Sequence, residues 1–385
     1  MGWKQQMLRI AVAAFCASAS APPAPAQAPD PLVLAAKVAD WQLARSADRA
    51  VTYRYNDESY DPRAWEQGAF WVGLSALADH LPADNRYGHV LLDMGKAQQW
   101  RPGPRPYHAD DQAVSQAYLW AAAHGAGPAA RAPTRQKFDA ILAAPPRVGL
   151  AVYDGPFRKP GDFECQLRWC WSDALFMAPP AWLALSAQTG DMRYRAYALN
   201  EIWATVGFLY DPSERLFFRD SRFFERRDDK GRKLFWSRGN GWVFAGLARE
   251  IALLPKGADR DRLDTLFREM AERLVALQKS DGYWAPSLLA PENAPPESSG
   301  TAFFTYGLAW GVRQGLLDKA TFEPAARKGW EALVRAIRPD GRLGWVQQVG
   351  DRPDIVNPDD TQYYGTGAFL LAAAAIHDLD AGKRK

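Results

Sequence analysis

The chain of 385 residues is 48% hydrophobic and 24% charged, the balance of a globular protein with a sizeable core. Its formal charge is +3; Lys4 and Arg9 supply two of those positives and no acid precedes Asp30, so the chain beyond residue 28 carries about +1. That balance gives no basis for nucleic-acid binding, whereas 16 Trp residues offer flat apolar faces of the kind that meet the C–H faces of sugar rings.

Residues 1–28 read as an export signal. Lys4 and Arg9 make a positive n-region, Ile10 to Phe15 a short apolar stretch, and Ala17-Ser18-Ala19 or Ala26-Gln27-Ala28 a cleavage site. The apolar run is far below the ~20 residues a membrane span needs. The expected location is therefore periplasmic or secreted, without a membrane partner, and residues 29–385 are expected to form a single domain.

Past the signal, two kinds of helical segment alternate. Amphipathic ones are predicted near residues 31–46, 86–100, 133–143, 191–207, 258–279 and 320–337. From Arg262 to Leu277, for example, Leu263, Leu266, Phe267, Met270, Leu274 and Leu277 recur at helical spacing, with charged residues between them. The other kind is apolar nearly all round and opens near Glu66, Asp110, Asp173, Gly239, Ser299 and Gly365. A helix without a polar face is buried on all sides. Six buried and six half-wet helices in alternation predict an all-α fold, an (α/α)6 toroid of six helical hairpins. Pro179 and Pro180 interrupt the third inner segment, which is expected to stop at Ala178 and restart with Pro180 near its first helical position. Asp211-Pro212, Asp281-Gly282 and Asp340-Gly341 mark turns after outer helices.

In such a ring the outer-to-inner loops emerge on one face, which collects the polar residues at every inner-helix start. Those starts include Trp65-Glu66, His108-Ala109-Asp110-Asp111, Trp169-Cys170-Trp171-Ser172-Asp173, Trp236-Ser237-Arg238-Gly239-Asn240, Glu297-Ser298-Ser299 and Gln362-Tyr363-Tyr364. Glycoside cleavage commonly uses two carboxyl groups of divided protonation state. Asp110, Asn240 and Ser299 also suit helix N-caps. Asp173 lies between two tryptophans and an apolar run, where desolvation raises a carboxyl pKa and suits a general acid. Arg238, flanked by Trp236 and glycines, suits bidentate recognition of a carboxylate, with a structural ion pair as the alternative. Cys165 and Cys170 either pair or stay as two buried thiols. Neither has the partners a zinc site requires, and no metal or other cofactor is expected.

Trp171-Ser172-Asp173-Ala174-Leu175-Phe176-Met177-Ala178-Pro179-Pro180, Trp236-Ser237-Arg238-Gly239-Asn240-Gly241-Trp242 and Pro296-Glu297-Ser298-Ser299-Gly300-Thr301-Ala302 resemble the unsaturated rhamnogalacturonyl hydrolases of glycoside hydrolase family 105, which are related to the unsaturated glucuronyl hydrolases of family 88. The resemblance runs from about residue 40 to 380 and includes Ala109-Asp110-Asp111 and Gln362-Tyr363-Tyr364-Gly365. It implies an exo-acting enzyme that removes a 4,5-unsaturated uronic acid from oligosaccharides left by polysaccharide lyases, with rhamnogalacturonan the expected source. It also implies that the acid protonates C4 of the enol ether and that water adds at C5. By motif, Asp173 is the proton donor and positions the water, and Asp110 or Asp111 is the second carboxylate. Trp236 and Arg238 meet the uronate, beside Trp171. Where many members carry a histidine this chain has Arg219, and another family histidine has no counterpart between Gly155 and Trp171. Arg219 and Arg222 then stand either as readers of a second carboxylate or as solvated loop charges. An inverting glycosidase on the same scaffold, or a non-catalytic carbohydrate-binding protein, are the competing expectations. An epimerase built on paired histidines fits less well, since only five histidines are present.

Overall fold

The computed structural model describes residues 29–46, 48, 61–153, 155 and 164–382. The export-signal reading falls outside the described residues. Helices on the outside are α1 (Pro31–Ala44), α3 (Arg86–Ala97), α5 (Pro128–Ala143), α8 (Met192–Leu209), α10 (Ala258–Ala276) and α12 (Lys319–Ala336). Alternating with them are inner helices α2 (Trp65–Asp79), α4 (Ser115–Ala121), the pair α6 (Ala174–Met177) and α7 (Pro179–Thr189), α9 (Ser237–Leu253), α11 (Ser298–Arg313) and α13 (Tyr363–Asp380). The (α/α)6 toroid expected from the alternation is the fold.

Local chemistry sets the two kinds apart. Four of the six outer helices begin on Asx caps: Asp30 accepts from Leu32 N, Asn85 from Tyr87 N and Gly88 N, Asp191 from Arg193 N and Asp318 from Thr321 N, each satisfying backbone donors that the first turn leaves without partners. Inner helices present no wet face; α13 is buried continuously from Tyr363 to Ile376. Inner neighbours pack in the order α2, α4, α7, α9, α11, α13, and α13 closes the ring against α2. The closure is backbone against backbone. A Cβ added at Gly73 would overlap the carbonyl of Gly367, and one at Gly367 would overlap that of Ala69.

The double proline breaks the third inner helix as expected, one residue earlier than predicted. Ala178 (φ −104°, ψ −54°) is the joint, and Pro179 takes the first position of α7, where its missing N–H removes no helical bond. Gly282 and Gly341 adopt φ +92° and +101°, the left-handed geometry their turns require. Where the sequence indicates only a turn at Tyr210-Asp211-Pro212, a short antiparallel hairpin forms, β1 (Tyr210–Asp211) pairing with β2 (Leu216–Phe217). Cys165 and Cys170 are joined in a disulfide, which resolves the two alternatives left by the sequence.

Candidate active site

The N-terminal ends of the inner helices meet on one face. Trp65 of α2 stacks on Tyr364 of α13 with ring centroids 5.2 Å apart, and Trp242 of α9 meets Trp65 edge-on at 6.2 Å. Into this face project two carboxyl groups, Asp110 and Asp173.

Asp173 occupies the position before α6, yet its carboxyl makes no capping bond. It is turned instead toward Ser172, whose Oγ donates to Oδ2 at 3.0 Å, and toward Arg219, whose Nε lies 3.6 Å from Oδ2. Gly239 lets this group approach α9, since a Cβ there would stand 3.2 Å from Ser172 Oγ and 3.0 Å from the Trp236 ring. Burial pushes the Asp173 carboxyl up from its ordinary range, opposed by Arg219, by the Ser172 hydrogen bond and by Arg238. The rise anticipated from its apolar surroundings is present.

Asp110 and Asp111 adjoin on a short 3-10 turn, Ala109–Gln112, and have different environments. Asp111 is held by Arg105, which donates its backbone N at 2.5 Å, Nε at 2.9 Å and Nη2 at 2.6 Å. Asp110 faces the site: burial raises it to about 7, against Arg105 and Arg219 and with the charge of Asp173 adding to the rise. Neither aspartate caps the turn. His108 does so, its Nδ1 accepting from Asp110 N at 3.3 Å. The His108 ring lies 4.9 Å from that of Trp171.

Arg238 and Trp236 build the opposite wall. Arg238 is 1% exposed, and its guanidinium lies between the rings of Trp236 and Tyr364, 4.4 and 4.6 Å from their centroids. Nη1 donates to Gln347 O at 2.6 Å and Nη2 to Gln348 O at 2.9 Å. Trp236 Nε1 donates to Gln347 Oε1 at 2.9 Å. Trp236 and Arg238, expected from the sequence to meet the uronate, are anchored here on the 347–348 segment, while Arg238 Nε is enclosed and makes no hydrogen bond among the described residues. Trp171 is likewise buried. Arg219 remains partly open at the mouth, with 21% of its side chain exposed. It and Arg222 are not solvated loop charges: both bond buried Asp220 at 2.7 Å, and Arg222 reaches Asp351 at 2.8 Å.

The chain matches the family described as Glycosyl Hydrolase Family 88 over residues 34–379. It is 43% identical over 346 residues to an unsaturated 3S-rhamnoglycuronyl hydrolase of Alteromonas sp. (strain LOR), covering 88% of this chain and 83% of that one. A protein of the same name from Formosa agariphila is 37% identical over 332 residues, covering 83% and 85%. The chain belongs to glycosyl hydrolase family 88. Among solved structures, a family 88 glycosyl hydrolase from Bacteroides vulgatus superposes with a TM-score of 0.73 at 27% identity, over 89% of this chain and 99% of that one.

Two roles in this family 88 hydrolase differ from the sequence expectation for physical reasons. Asn240 is no cap; it lies within the first turn of α9 and straps β2, accepting from Phe217 N at 2.8 Å and donating to Phe217 O at 3.0 Å. Ser299 is no cap either. Glu297 precedes α11 and accepts from Ser299 N, Ser299 Oγ and Gly300 N, so the longer carboxylate satisfies two backbone donors at once. Sequence reasoning passes over Gln347 entirely. It receives Trp236, Arg238 and Tyr364 and donates to Glu297, but it lies in a loop with no local motif.

Proposed function

We propose that this hydrolase removes a 4,5-unsaturated uronate from the non-reducing end of lyase-generated oligosaccharides in which the uronate is joined to rhamnose. The observation that carries the reading is Asp173: a desolvated carboxyl, free of capping duty, placed beside Arg219 and sharing its site with a second raised carboxyl, Asp110. Such a pair holds a proton near neutral pH because burial and mutual repulsion oppose double ionisation. Asp173 gives that proton to C4 of the enol ether. The resulting cation at C5 is captured by water, whose proton returns to the Asp173 carboxylate, and the hemiketal so formed opens and releases the next sugar. Asp110, the carboxylate not tied to Arg105, is the second site group. Arg219 is the guanidinium placed to meet the uronate, while Arg238 braces the wall behind it.

The name shared by the two relatives joins rhamnose to a glycuronyl unit, which supports assaying rhamnose-containing fragments first, rhamnogalacturonan among them. The conjugated uronate absorbs ultraviolet light and hydration abolishes the absorbance. Loss of absorbance on lyase-treated fragments, with saturated oligosaccharides left intact, is the expected result. Cleavage of saturated substrates would indicate an ordinary inverting glycosidase, and tight binding without product a carbohydrate-binding protein.

Export to the periplasm or beyond is part of the same proposal. The Cys165–Cys170 disulfide supports an oxidising compartment, and recovery of the protein solely in the cytoplasmic fraction would refute it.

A further inference from the structure

The opposite end of the ring holds a second cavity, of about 490 Å³, among the C-terminal turns of α2, α9, α11 and α13. Eleven residues of α9 separate Arg238 from Arg249, about 16 Å of helix rise, so this cavity is distinct from the catalytic mouth. Its volume falls in the range that takes small-molecule ligands. Arg249, Arg260, Arg313, Tyr306, Trp310 and His80 line it, together with the carboxylates of Asp79 and Asp378.

Both acids have partners of their own. Asp79 accepts from Trp120 Nε1 at 2.8 Å and lies 3.2 Å from His124 Nε2, and Asp378 lies 3.0 Å from His80 Nε2. Two of the arginines have partners: Arg249 feels the charge of Asp79 and bonds Tyr306, and Arg260 Nε lies 4.0 Å from Asp264 Oδ2. Arg249 directs Nε to Gln116 Oε1 at 3.1 Å, and Arg260 directs Nη1 to Leu254 O at 3.3 Å. Arg313 Nε and Nη2 are enclosed and donate to nothing among the described residues. Basic residues near helix C-termini answer the negative end of the helix dipole. That accounts for Arg260 on its carbonyl but leaves the enclosed N–H groups of Arg313 without acceptors, a costly state that a ligand relieves. Burial pulls Arg249 below its ordinary pKa, and a bound anion offsets that burial too.

We propose that this far-face cavity is a second ligand site, for a small anion with several oxygens, a carboxylate or a sulfate. Guanidinium groups match both. Tyr306 and Trp310 add aromatic faces that suit an anion carried on a sugar.

The test titrates the full chain with sodium glucuronate and, separately, sodium sulfate, against sodium chloride at matched ionic strength. Tm and calorimetric binding are followed. A saturable response to either probe beyond chloride is expected, with glucuronate the stronger if the anion is sugar-borne. Arg313→Gln is expected to weaken it roughly tenfold or more while leaving catalysis unchanged. Should Arg313→Gln fail to fold, Arg260→Gln serves in its place. Equal responses to the probes and to chloride overturn the proposal. So does a response that survives the substitution, since it then belongs to the catalytic mouth.

Discussion

Arg219 holds its Nε 3.6 Å from Asp173 Oδ2 while its Nη1 donates to Asp220 Oδ2 at 2.7 Å. One guanidinium thus joins the candidate acid to a fully buried carboxylate. Burial pushes Asp220 up, yet Arg222 and Arg219 outweigh it and hold the group below its ordinary value. The cation is fixed in place by Asp220 and acts on Asp173 from there. It opposes the burial that raises the Asp173 carboxyl. Replacing it with a neutral group, Arg219→Gln, is expected to move the alkaline limb of kcat/KM to higher pH, because the ionised form of Asp173 loses its stabilising charge. A raised KM is expected as well, from loss of the proposed uronate contact. An unmoved pH profile would detach Arg219 from Asp173.

Asp173→Asn keeps the shape of the side chain and an acceptor for Ser172 Oγ but has no proton to give. Turnover is expected to fall by about 10²–10⁴-fold or more, with circular dichroism and Tm close to wild type. Full activity in this variant would remove Asp173 from the chemistry.

Asp110 and Asp111 separate by the opposite effects of the same substitution. Burial pushes folded Asp110 up to about 7 from the ordinary aspartate value of 3.8, so between those values the folded state binds more protons than the unfolded. Its stabilising protonation is complete below the unfolded value and is lost as pH rises through about 7. At 1.36 kcal/mol per pH unit, the ceiling on this contribution is about 4 kcal/mol. Asp110→Asn is expected to raise Tm at pH 8, to flatten the pH dependence of stability between pH 4 and 7, and to reduce kcat. Asp111→Asn removes the charge that Arg105 grips and is expected to lower stability by about 2 kcal/mol. Thermal unfolding of both variants at pH 5 and pH 8 checks the pair.

Arg238→Lys tests whether the wall or the substrate uses the guanidinium. A lysine cannot donate to two carbonyls in the same fork, nor lie as a plane between Trp236 and Tyr364. A loss of about 2–3 kcal/mol of stability is expected, with lowered kcat as the 347–348 segment loosens. A large rise in KM at unchanged Tm would show that Arg238 meets the uronate directly.

The ring itself was legible because its signal is periodic. Leu263 to Leu277 repeats at 3.6 residues, and Gly365 to Ile376 has no polar face at all, and both patterns survive without knowledge of any neighbour. The desolvation of Asp173 could likewise be read from its flanking tryptophans and the apolar run behind it. The pairing of Arg238 with the carbonyls of Gln347 and Gln348 was hidden, since it joins residues more than a hundred positions apart through a loop without repeating chemistry. Asn240 and Ser299 misled for a related reason. Local composition offers a cap, but a strand from the preceding hairpin and a longer acid two residues earlier took the bonds. The division between Asp110 and Asp111 depends on where Arg105 comes to rest, which spacing alone leaves undetermined.

Ring closure gives the last prediction. At the α2–α13 contact, a Cβ on Gly73 would overlap the Gly367 carbonyl oxygen and come within 2.7 Å of its Cα and 2.8 Å of its carbonyl carbon. Backbone cannot rotate aside as a side chain does, so Gly73→Ala must part the two helices. A loss of about 1–3 kcal/mol or more is expected, together with reduced activity, because Trp65 and Tyr364 stack across the same two helices at the mouth. Gly207, in the last turn of α8, is the control: a Cβ there meets nothing within 4 Å. Gly207→Ala is expected to gain about 0.5–1 kcal/mol from helix propensity and to leave kcat unchanged. Denaturant unfolding of the two variants measures the contrast. Equal stabilities would show that the ring does not depend on glycine-to-glycine contact for its closure.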